Sequence, residues 1–132
     1  MTPELSMVLW SAALLFAQIG VSAVSNVGAM GLPWGFGNHE SPATAEGLPG
    51  RAKRAYMNML ENFPVFAAVV FVAQFAGVHN EMTVLGAEIF LVARTIYAIV
   101  YLAGFTFLAI RTIVWTAGIV GTAMVFFATL MA

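Results

Sequence analysis

Arginine is scarce in this chain, and its spacing is suggestive. The 132 residues include five basic ones, and four of those are Arg51, Arg54, Arg94 and Arg111. Arg51, Arg54, Asn58 and Glu61 follow at intervals of 3, 4 and 3, which places all four on one helix face. Arg94, Tyr97 and Tyr101 share a second face at intervals of 3 and 4, and Arg111 precedes Trp115 by one turn. A guanidinium group is a planar fork that matches a carboxylate. For any one of these residues an interhelical salt bridge, or for Arg111 a reach to the surface, is the simpler account. As a set they read as a cationic pocket for a small anion. Only one deep carboxylate, Glu61, lies near the four arginines, and excess buried positive charge needs an external anion or water. The chain has no cysteine, so any thiol chemistry must use a sulfur brought by a ligand.

The elements that must position these residues belong in a bilayer. The chain is 61% apolar and only 8% charged, against about 25% charged in a soluble domain. There is too little polar surface for a soluble shell, and too little charge for a disordered chain. A net charge of −1 leaves no electrostatic footprint for nucleic acid. A spanning helix needs about 20 apolar residues, and four such stretches are expected, over about 5–30, 51–78, 82–104 and 107–131. The expected fold is an all-α integral membrane bundle of four transmembrane helices, a single domain over 1–132. The amino terminus carries Glu4 and no basic residue before the first apolar run, which is unlike a cleaved secretory signal. In the first connection, 8 of 20 residues are glycine or proline, so it is expected to be a loop. Trp34 and Phe36 within it suit the membrane interface. The second connection, near His79, Asn80 and Glu81, and the third, near Gly104, Phe105 and Thr106, are short. The last three helices should therefore be antiparallel neighbours. Arg51, Lys53 and Arg54 follow the first connection and Arg111 follows the third. The positive-inside bias puts both connections in the cytoplasm and both termini outside.

An ionisable residue at mid-membrane costs roughly 2.5–3.5 kcal/mol on insertion scales, so each needs a partner. Glu61 lies about 15 Å along the helix from Arg51 and is expected to pair with a cation or stay protonated. Pro64 should bend the helix just beyond it. Glu88 falls off the Arg94 face and is not expected to pair with it. Gln18, Ser22 and Asn26 form a polar stripe suited to helix–helix contact, and Gly118, Gly121 and Ala128 suit close packing. His39 and His79 fall in connections on opposite sides of the membrane, so no shared metal or haem site is expected.

The run from Arg51 to Pro64, with Arg54, Asn58, Glu61, Asn62 and Phe63, resembles the helix-two motif of the MAPEG family, the membrane-associated proteins in eicosanoid and glutathione metabolism. The segments 93–104 and 111–115 agree with it in spacing, and the resemblance covers essentially the whole chain, in wording closer to bacterial members. It implies a homotrimer, in the bacterial cytoplasmic membrane, with glutathione bound between subunits as cosubstrate. It also implies a lipophilic electrophile or peroxide arriving from the lipid. By resemblance Arg54, Asn58, Glu61, Arg94 and Tyr101 contact glutathione, and Arg111 stabilises its thiolate; Arg51, Tyr97 and Trp115 stand beside them. The implied activity is a glutathione-dependent transferase or peroxidase. Met57 stands where some members have an arginine and Trp115 where some have a tyrosine. These departures favour the alternative, a non-catalytic member serving as a structural or accessory subunit of a larger membrane complex.

Overall fold

The computed structural model describes residues 1–105 and 108–132. Five helices follow in order: α1 (Pro3–Met30), α2 (Leu32–Phe36), α3 (Gly47–Phe75), α4 (Glu81–Leu102) and α5 (Leu108–Leu130). All but the one-turn α2 are long and apolar enough to cross a membrane. The expected start of the fourth spanning helix at 107, and Thr106 before it, lie outside the described residues. In the bundle α3 touches α1, α4 and α5, while among the described residues α1 and α5 stand on a diagonal without contact.

Local chemistry sets the helix ends, and it moves two boundaries from their expected places. The helix expected from 51 begins four residues earlier, at Gly47. Pro49 falls in its first turn, where the missing N–H had no partner to lose. A proline that looked like a breaker therefore helps to start the helix. The same helix ends at Phe75 rather than 78. Gly77 takes a left-handed φ of 70°, and the Val78 amide donates to the Ala73 carbonyl at 2.8 Å, which closes the helix from behind. Gly104, with φ 75°, ends α4 in the same way. Asn80 starts α4 through a capping box with Thr83. Part of the expected first loop is also ordered. Trp34 in α2 stacks on His39 at 4.1 Å, and its indole N–H donates to the Ser41 carbonyl at 2.7 Å.

Burial is inverted relative to a soluble protein. Glu4, Ser11, Gln18, Ser22, Asn26, Thr83 and Arg94 are buried, whereas Trp10, Phe16, Phe71, Phe75, Phe126 and Phe127 are exposed. An apolar outside suits a bilayer, and inward-facing polar groups are the membrane pattern. The chain is an integral membrane protein. Its core centres on Phe66 and Phe90, stacked at 3.9 Å, with Met59, Val70, Ala87 and Val125 around them.

The closest approach of helices is between α4 and α5. A Cβ added to Gly121 would lie 2.5 Å from the Gly86 carbonyl oxygen, and one on Gly86 would lie 2.6 Å from that of Gly121. These obstacles are backbone atoms, so only separation of the helices could relieve the clash. Gly121→Val is expected to lower stability by about 1–3 kcal/mol, the usual range for overpacking. Thermal unfolding in detergent measures it, and a melting temperature equal to wild type would contradict this packing.

Candidate functional site

The residues singled out by spacing meet at one end of the bundle, where α3, α4 and α5 approach. A cavity of about 320 Å³ is lined by Asn58 of α3, Tyr97 and Tyr101 of α4, and Arg111, Thr112 and Trp115 of α5. Five of the nine expected site residues line it. The i, i+4 repeat turns Tyr97 and Tyr101 to the same side, with ring centroids 5.5 Å apart.

Three guanidinium groups surround the tyrosine pair. Arg111 lies 5.1 Å from the Tyr101 ring centroid. Arg54 lies 5.9 Å from it on the other approach, and its Nε donates to the Tyr101 hydroxyl at 3.2 Å. Arg54 also donates from Nη1 to the Ala45 carbonyl at 3.1 Å, which ties the first connection to the site. Arg94 stands behind the cavity, only 2% exposed. Its Nη1 donates to Asn58 Oδ1 at 2.6 Å and so fixes which way the amide points. The Arg94 guanidinium also packs over Phe90 and Tyr97, at 5.5 and 5.8 Å. Gly118 of α5 makes room for it, since a Cβ there would meet Nε at 3.0 Å. Among the described residues, Nε and Nη2 of Arg94 have no hydrogen-bond partner.

Of the four expected site residues that do not line the cavity, Arg54 and Arg94 support it from outside as described, and Arg51 and Glu61 stand further apart. Arg51 donates from Nε to the Leu102 carbonyl at 3.3 Å, close to the carboxyl-terminal end of α4. That placement matches a cation to the negative end of the helix dipole. Glu61 is exposed on α3, and among the described residues no ion pair reaches it. The expected pairing of Glu61 with an arginine is thus not made among the described residues. Arg51 and Arg54 of α3 and Arg94 of α4 are turned towards Tyr101, Asn58 and backbone carbonyls instead.

Thr112 lines the cavity although its spacing gave it no separate role. It neighbours Arg111 in the first turns of α5, which was the available signal.

The opposite end holds a cluster that sequence reasoning missed. Glu4 is fully buried, and its Oε1 accepts from the Thr83 hydroxyl at 2.5 Å and lies 2.8 Å from His79 Nδ1. Thr2 donates to Gln74 beside it at 3.0 Å. The cluster ties the start of α1 to the end of α3 and the start of α4. Gln18, Ser22 and Asn26 are buried on α1 as expected of a polar stripe, but the Asn26 amide donates to the Ser22 carbonyl of its own helix at 2.8 Å. Among the described residues no group of His, Asp and Glu is arranged to hold a metal ion.

The site can therefore present two guanidinium groups, two phenols and an oriented amide to an anion at this end of the bundle. No curated protein and no solved structure matches the sequence. The sequence model of the MAPEG family matches residues 7–131, nearly the whole chain, and the protein belongs to that family.

Proposed function

We propose that the cavity binds glutathione and that the protein is a glutathione-dependent transferase or peroxidase acting on a lipophilic electrophile. The observation that carries this reading is the charge balance of the site. Arg54, Arg94 and Arg111 gather around one cavity, and among the described residues none of them is ion-paired to a carboxylate. A peptide thiol with two carboxylates would supply negative charge. The cavity's volume of about 320 Å³ is at the small end for ligand sites, which fits a site completed by a neighbouring subunit in a homotrimer.

In this reading Arg111 holds the thiolate. A guanidinium group beside a thiol favours the charged form, and that sulfur attacks an electrophile dissolved in the lipid. Asn58, oriented by Arg94, and the Tyr97 and Tyr101 hydroxyls hold the peptide. Exposed Glu61 would receive the ligand's ammonium group, and Arg51 supports the end of α4 nearby. The arginine-bearing end faces the cytoplasm, by the positive-inside bias of Arg51, Lys53, Arg54 and Arg111, in a bacterial inner membrane.

A second reading is favoured by Trp115. It lines the cavity and its indole can only donate, so the chain could be a non-catalytic subunit of a larger membrane complex. Titrating the purified protein with glutathione while recording ultraviolet thiolate absorbance separates the two. The enzyme reading expects saturable binding with a rising thiolate signal. Neither binding nor signal would leave only the second reading. Glu61→Ala is expected to weaken glutathione binding about tenfold, the scale of one hydrogen bond to a charged group. It should leave the melting temperature of the free protein unchanged, because Glu61 has no ion-pair partner among the described residues. A lower melting temperature with unchanged affinity would contradict that assignment.

A further inference from the structure

A second place in the molecule has chemistry that the glutathione reading does not use. Glu88 of α4 is seven residues beyond Glu81, about 10 Å along the helix from its start. It is exposed, and it lines a groove of about 390 Å³ between α4 and α5. The rest of that lining is apolar, including Leu85, Val92, Ile96, Ile113 and Val114. Among the described residues no ion pair or hydrogen bond is made by the Glu88 carboxylate. The nearest arginine along α4, Arg94, is buried and donates from Nη1 to Asn58 on the other side of the helix. Glu88 is nine residues from Tyr97, half a turn round the helix, so it looks away from the arginine cavity towards lipid. A lone carboxylate in a spanning helix is costly and marks a site that awaits a partner.

We propose that the Glu88 groove is a lipid-facing site for amphiphilic amines, with the alkylammonium head on Glu88 and the hydrocarbon tail along α4 and α5. Charge complementarity selects the head group. The shape selects a tail: from Leu85 to Ile96 the groove runs about 16 Å along α4. A transmembrane helix of a partner protein fits less well, because helix docking in lipid uses small residues for close approach. Gly118 and Gly121, the two glycines of α5, are already occupied by Arg94 and Gly86 within the chain, and the groove itself offers only Ala93 and Ala117 among larger apolar side chains. The site rests on nothing in the glutathione reading and can be tested without glutathione.

The test is the thermal melting of the purified full chain in zwitterionic detergent, titrated with dodecylamine or with dodecanol as the uncharged control. Wild type should be stabilised by dodecylamine, with at least tenfold more dodecanol needed for the same shift. Glu88→Gln should need at least tenfold more dodecylamine than wild type. Ala117→Trp, which fills the groove and keeps the carboxylate, should lose the response as well, and it carries the test if Glu88→Gln does not fold. Equal responses to the amine and the alcohol, an unchanged response in either folded variant, or no response in wild type would each overturn the proposal. The last result would leave the groove to a helix carrying a basic residue.

Discussion

Arg111→Ala should abolish the thiolate absorbance of bound glutathione while the protein stays folded and assembled. The expected size follows from the thiol's own chemistry. A free thiol has a pKa near 8.5, and lowering it by two units takes about 2.7 kcal/mol of differential stabilisation. At pH 7 such a shift raises the thiolate fraction from about 3% to about three-quarters, so its loss cuts the signal roughly 25-fold. Arg111 is suited to the role because it stands at the cavity wall, over the Tyr101 ring and half-buried, where water screens its charge less than on an open surface. It makes no ion pair among the described residues, so removing it should strand no partner and cost little stability. Absorbance and melting temperature, measured on the same preparation, check both halves. An unchanged thiolate signal in Arg111→Ala would assign the role to another group.

The second large effect is expected at Asn58, on stability rather than on chemistry. Its Oδ1 accepts the 2.6 Å hydrogen bond from Arg94, whose other two nitrogens have no partner among the described residues. Asn58→Leu would leave a 2%-exposed guanidinium group without its hydrogen bond, and losing a hydrogen bond to a charged group costs about 1.5–3 kcal/mol. At roughly 3–5 °C per kcal/mol the melting temperature should fall by about 5–15 °C. Asn58→Asp separates this role from ligand binding. A carboxylate accepts the same bond and adds a charge pair, so stability should return to wild type or rise. Glutathione affinity should nevertheless fall, because the amide donor is gone and an anion stands in an anion site. If Asn58→Leu melted like wild type, Arg94 would have another means of compensation.

The four spanning helices, and the convergence of Asn58, Tyr97, Tyr101, Arg111 and Trp115, were legible in the sequence because both rest on helical periodicity. An i, i+4 pair shares a face whatever surrounds the helix, so Tyr97 and Tyr101 could be placed together before any tertiary contact was known. The start of α3 was not legible from composition alone. Pro49 and its flanking glycines count as breakers unless it is known that proline falls in a first turn. Nor could spacing tell that Arg51 and Arg54, on one face, have different partners. Arg51 meets the Leu102 carbonyl at the end of α4 and Arg54 meets the Tyr101 hydroxyl, a division set by how α3 and α4 cross. The Glu4 cluster was invisible for the same reason. Glu4 and His79 are 75 residues apart, and no local pattern joins them.

A structure of the protein with glutathione tests the central claim most directly. The account predicts a tripeptide against the cavity of Asn58, Tyr97, Tyr101 and Arg111, completed by a neighbouring subunit, with its sulfur within hydrogen-bonding reach of the Arg111 guanidinium group. A lipid or detergent chain filling that cavity at saturating glutathione, with no tripeptide beside Arg111, would contradict it.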